Sequence, residues 1–148
     1  MLFRFMLSHG LIASGLFFLV GFLYNRFHVR SIENYSGLGT IMPIMSMFFF
    51  VFTLANIAFP LTSGFIGEFL LLNAVFHYNY WLGGIVAISI ILGAVYMLRL
   101  FQKSMLGTNN GNLFNGDLSI KEHWIIIPLM IFVIAGGIFP NWVNEFLF

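Results

Sequence analysis

From Asn34 to Leu98 one Asp, Glu, Lys or Arg interrupts the chain, and it is Glu68. A stretch that long with a single charged side chain cannot coat a soluble fold. The whole chain agrees: of its 148 residues 60% are hydrophobic and 7% charged, where soluble domains average about 25% charged. An apolar run of about 20 residues is long enough to cross a bilayer, and four such runs fit. The expected fold is an all-α polytopic membrane protein of about four transmembrane helices, one membrane domain over residues 1–148 with short loops.

The spans are expected at about residues 2–24, 43–77, 81–103 and 122–139. The first follows Met1-Leu2-Phe3-Arg4 and is too long for a signal-peptide core, with no small-x-small cleavage site behind it. A start at Met1 just before this span is what a separately translated chain would show. The second is expected to be broken near Pro60 to Gly64. Pro43 suits a first helical turn, and helix should run to about Phe59, where Pro60 removes a backbone bond; apolar helix resumes from about Phe65 to His77. The halves measure roughly 25 Å and 20 Å at 1.5 Å per residue, so one long broken helix competes with a re-entrant pair. Gly107 to Ser119 reads as an exposed loop, and Pro140 should stop the last span. Trp81, Trp124 and Trp142 fall at span ends, where amphipathic rings favour the interface.

Charge placement separates the two topologies. With one broken span Arg26, Arg30, Lys103 and Lys121 share a side and Arg4 stands alone on the other. A re-entrant pair abolishes that bias. The positive-inside tendency therefore favours four spans with both termini outside.

Glu68 is the leading candidate for chemistry. A carboxylate at membrane depth costs a few kcal/mol on insertion scales and needs a polar partner, water or a proton. The adjoining break offers free carbonyls beside a wet cavity. Ser46, Thr53 and Asn56 recur on one helix face upstream, and Ser89, Tyr96, Arg99 and Lys103 share a face of the third span. Together the two stripes form an expected polar track past Glu68. His9 is the second proton-transfer candidate, because imidazole titrates near neutral pH. His28, His77 and His123 sit at ends or loops and read as interfacial. A structural hydrogen bond for Glu68, plain helix packing for the hydroxyls and snorkelling for Arg99 are the plainer readings.

The other chemistries find little support. A net charge of +1 without a basic run does not suit nucleic acid. The chain has no cysteine, which removes disulfides, thiolate nucleophiles and cysteine-ligated metal. No dinucleotide or P-loop motif occurs, and Gly136-Gly137 reads as a packing contact. The 20 phenylalanines and abundant isoleucine are associated with AT-rich organelle genomes.

Ser8-His9-Gly10-Leu11-Ile12, Leu23-Tyr24-x-Arg26 and above all Pro60-Leu61-Thr62-Ser63-Gly64-Phe65-Ile66-Gly67-Glu68-Phe69 resemble the antiporter-like membrane subunits of respiratory complex I. So do Tyr96-Met97-Leu98 before Gly107, Glu122 opening the last span, and Gly137-Ile138-Phe139-Pro140 at its end. Glutamate at Glu68 resembles one branch of that family, since other branches and the related cation/proton antiporters usually carry lysine there. The resemblance implies a broken helix with Glu68 at the outer end of a proton path and His9 on a central polar axis. It covers only the last four of about fourteen spans. It thus implies a proton-translocating component of NADH:ubiquinone oxidoreductase, part of a split subunit whose remaining spans lie on a separate chain. The partners implied are other complex I membrane subunits and lipid, with NADH, flavin, iron–sulfur clusters and quinone on other subunits and no metal here. The mitochondrial inner membrane is the implied location, with a bacterial plasma membrane or thylakoid as alternatives. An antiporter subunit and a purely structural membrane-arm element are the competing functions.

Overall fold

The computed structural model describes residues 2–107 and 116–139. A mostly apolar sequence carries the first helix, α1, over Leu2–Phe27. It stops where His28 turns to φ 53° and its N–H donates to the Tyr24 carbonyl at 2.8 Å. A 3-10 turn at Ile32–Tyr35 and a one-turn helix α2 at Leu38–Ile41 follow. Tyr35 donates its hydroxyl to the Val29 carbonyl. Burial, with a smaller contribution from Tyr24, pushes its phenol above the ordinary value.

Helix α3 spans Pro43–Asn56, with Pro43 in the first turn as its missing N–H allows. Helix α4 spans Ser63–Tyr78, α5 Tyr80–Met105 and α6 Ile120–Ile138. Asn79 opens α5, its side-chain oxygen accepting from Trp81 N–H and Leu82 N–H. Ser119 and Glu122 form a reciprocal capping box at the start of α6. Helices α1, α5 and α6 each contain a segment long and apolar enough to cross a membrane, and α3 is a shorter apolar helix. Pro140, Trp142, Arg4's side chain and the middle of the loop from Gly107 to Ser119 lie outside what is described.

The break is wider than the sequence suggests. α3 ends at Asn56 rather than near Phe59, and α4 resumes at Ser63 rather than Phe65. Ala58 and Leu61 both adopt left-handed backbone, φ 52° and 75°, a conformation that is costly for residues with a Cβ. Pro60 keeps Phe59 from helical geometry. The segment then makes its own bonds: Phe59 N–H to the Leu54 carbonyl at 3.0 Å, and Thr62 N–H and hydroxyl to the Phe59 carbonyl.

Packing along α1 decides how the halves run. Arg26, at its end, reaches the Asp117 backbone, and the Asp117 carboxylate accepts from Ile44 N–H and Met45 N–H at the start of α3. Further back, Gly15 abuts Phe52, Ile12 lies against Gly64, and Phe5 against Gly67. Partners therefore advance steadily through α3 and α4 as α1 is followed backwards. Helix α5 repeats this in reverse, Gly83 meeting Phe76, Phe101 meeting Phe49 and Phe50, and Met105 meeting Gly39. A re-entrant pair would return the end of α4 to the start of α3; here the halves form one broken span.

The buried core gathers Leu19, Leu38, Met42, Met45, Phe52, Met105, Ile126 and Val133. At the other end α6 closes on the break. A Cβ at Gly137 would collide with the Leu61 carbonyl, and one at Gly136 would stand 3.1 Å from the Ser63 side chain. This pair is the packing contact expected of it, of the small-residue kind that lets helices approach in lipid. Trp81 and Trp124 lie exposed near the starts of α5 and α6.

Candidate functional site

The break sets the site. By ending α3 at Asn56 and restarting at Ser63, it turns Glu68, in the second turn of α4, toward the opening part of α1. Phe5, Ser8, His9 and Ile12 of α1, Ala55 and Asn56 of α3, and Gly64 and Glu68 of α4 enclose a small cavity. Glycine at position 64 permits it: a Cβ there would stand 2.8 Å from the Ala55 carbonyl. The cavity leaves about 20 Å³ for the centre of a water molecule, which is room for roughly one.

Glu68 is half-buried and among the described residues has no hydrogen-bond partner. His9 lines the same cavity from α1. The imidazole stacks on Phe5 at 6.3 Å between ring centroids, and its outer side is exposed. With Ser8 and Asn56 the polar lining comprises one carboxylate, one imidazole, one hydroxyl and one amide. Such a set can exchange protons through one water. Among the described residues no cluster of three or more His, Cys, Asp or Glu could hold a metal ion.

The expected polar track is only partly assembled. Thr53 is fully buried, but its hydroxyl has no partner among the described residues and it does not line the cavity. Ser46 sits at the start of α3, beside α2 at Gly39. Of that stripe only Asn56 reaches Glu68.

The stripe on α5 does not meet Glu68 within this chain. Helix α5 packs through Gly83, Met97, Ser104 and Met105, which leaves Ser89, Tyr96, Arg99 and Lys103 on its far side, all exposed. Shared spacing correctly placed them on one face; which face met the bundle depended on helices that the spacing cannot see.

A polar cluster that the sequence reading did not assemble closes the opposite end. Arg26 Nη1 and Nη2 donate to the two Glu122 carboxylate oxygens at 2.8 and 2.5 Å, and Nη2 also donates to the Asp117 carbonyl. Ser119 N–H donates to Glu122 at 2.7 Å. The fork-like geometry pairs the two partly buried charges with each other. The Ser119-x-x-Glu122 spacing was readable as a capping box; the partner in α1 was not.

Comparison with known proteins follows the same lines. A family model described as NADH:quinone oxidoreductase/Mrp antiporter, TM matches residues 1–96. NADH-ubiquinone oxidoreductase chain 4 of Chondrus crispus is 44% identical over 97% of this chain and 30% of its own length. NADH-quinone oxidoreductase subunit M of Rickettsia prowazekii is 46% identical over 92% of this chain and 28% of its own. A chain in the structure of respiratory complex I from Thermus thermophilus with bound NADH superposes with a TM-score of 0.84 at 31% identity, over 94% of this chain and 29% of that one. The chain thus spans under a third of the length of these relatives.

Proposed function

Since the chain belongs to the NADH:quinone oxidoreductase/Mrp antiporter transmembrane family, we propose that it is a proton-translocating component of the membrane arm of respiratory complex I. The observation that carries this reading is Glu68, half-buried without a hydrogen-bond partner among the described residues, in a water-sized cavity with His9, Ser8 and Asn56. A carboxylate in that position is stable only while a proton, a cation or water attends it.

Glu68 takes the proton on a carboxylate oxygen and becomes neutral, which relieves the cost of its burial. His9 takes it on a free ring nitrogen, and the amide and hydroxyl of Asn56 and Ser8 orient the exchange. The two groups pass charge without leaving an isolated ion at membrane depth. Phe5 and Ile12 supply the apolar part of the cavity wall. Electron transfer, with NADH, flavin, iron–sulfur clusters and quinone, belongs in this reading to other subunits of the oxidoreductase.

Relatives named for both ubiquinone and quinone oxidoreductases match at similar identity. That places the chain in an energy-coupling membrane, the mitochondrial inner membrane or its bacterial counterpart. The exposed side of His9 needs a polar cover. Helices corresponding to the rest of the relatives' length, on a separate polypeptide, would supply it. Sequencing the membrane subunits of the purified assembly tests this partner; one continuous peptide carrying both parts would reject it.

The function is tested by Glu68→Gln, which keeps the shape and removes the charge cycle. Correctly assembled complex carrying it should move fewer protons per electron or lose activity. Unchanged pumping would leave the chain a structural element of the arm.

A further inference from the structure

On the outward face of α5 Ile85, Ile88, Leu92, Tyr96, Arg99 and Lys103 follow one another at spacings of three and four residues, and all six are exposed. They stand opposite Met97 and Ser104, through which the helix packs. The order along this stripe is apolar, then aromatic with a hydroxyl, then two cations. Arg99 and Lys103 have no ion-pair or hydrogen-bond partner among the described residues.

We infer that this face binds one anionic phospholipid, its phosphate between Arg99 and Lys103 and an acyl chain along Leu92, Ile88 and Ile85. Three observations support that occupant. Ile85 to Tyr96 covers about 16 Å of helix, close to the roughly 15 Å of one leaflet's hydrocarbon. The cations lie at the end of the bundle that also carries Arg26 and Lys121, since Met105 packs on Gly39 and Phe101 on Phe49 and Phe50. This is the side on which anionic lipid concentrates when positive residues mark it. The apolar part is built from bulky Ile and Leu, whereas close helix docking in lipid favours small residues. The open glycines Gly84 and Gly93 fall off the stripe.

Tyr96 sits at the glycerol level, where its hydroxyl meets ester oxygens and its ring stays in hydrocarbon. Arg99 offers a planar fork to phosphate oxygens, and Lys103 a second charge one turn beyond.

The experiment uses the native assembly in detergent with two photoreactive lipids, phosphatidylglycerol and phosphatidylcholine, each with a diazirine on the acyl chain. Phosphatidylglycerol should label peptides containing Ile85 to Leu92 in clear preference to phosphatidylcholine. Arg99→Gln with Lys103→Gln should cut that labelling about tenfold or more, and Arg99→Lys with Lys103→Arg should retain most of it. Assembly of each variant is read on native gels. Equal labelling by both lipids, or labelling indifferent to the double Gln variant, would overturn the inference in favour of bulk annular lipid. Failure of both lipids to reach Ile85 to Leu92 would overturn it in favour of a neighbouring helix on this face.

Discussion

Arg26, in the last turn of α1, grips both carboxylate oxygens of Glu122, in the first turn of α6. The side chains are only 13% and 16% exposed, so neither charge is well solvated. The pair joins the first and last described helices at one end. Arg26→Ala leaves Glu122 buried without its cation and should cost about 2–4 kcal/mol, on the scale of breaking a buried pair. Replacing both, Arg26→Met with Glu122→Gln, should cost less than Arg26→Ala alone. Thermal unfolding of the solubilised assembly gives the order.

Asp117 acts at a distance as the N-terminal cap of α3. Met42, the residue in the capping position, supplies no side-chain bond, and Asp117 accepts from Ile44 N–H at 2.7 Å and Met45 N–H at 3.0 Å. Asp117→Ala should destabilise the chain by about 1 kcal/mol, with Asp117→Asn intermediate. Protease accessibility around Pro43 measures the fraying.

Gly137 is expected to be intolerant. Even Gly137→Ala places a carbon against the Leu61 carbonyl, and Gly137→Val should lower stability by about 1–3 kcal/mol or block assembly. Gly10→Ala meets nothing within 4 Å and should be accepted. The contrast in assembled yield between the two alanine variants is the measurement.

The broken-span topology predicts opposite exposure of two loops. The chain has no cysteine, so single cysteines report cleanly. Ser36→Cys should react with an impermeant maleimide from the positively charged side, and Tyr78→Cys from the other. Reaction of both from one side would require the re-entrant arrangement. Asn110, outside the described residues, is expected to label with Ser36.

Much of this protein was readable before any coordinates. The helical, membrane-spanning character and the break near Pro60 follow from a bilayer's intolerance of charge and of unpaired backbone. The edges of the break were less legible, because Ala58 and Leu61 take left-handed geometry that neither residue type favours. Sequence singles out His9 and Glu68 separately; that Ser8 and Asn56 join them depends on how α1 crosses the break.

The sequence by itself determined that the chain is helical, membrane-spanning and interrupted beside one acid, since those properties depend on local composition and on the solvent. Only the tertiary structure decided that Asn56 faces Glu68 while Tyr96, Arg99 and Lys103 face away, and that Arg26 meets Glu122. Periodicity fixes which residues share a helix face but leaves the rotation of that helix free. In lipid, where apolar sides are nearly equivalent, rotation is settled by close packing such as Gly137 on Leu61 and by the few polar bonds between helices.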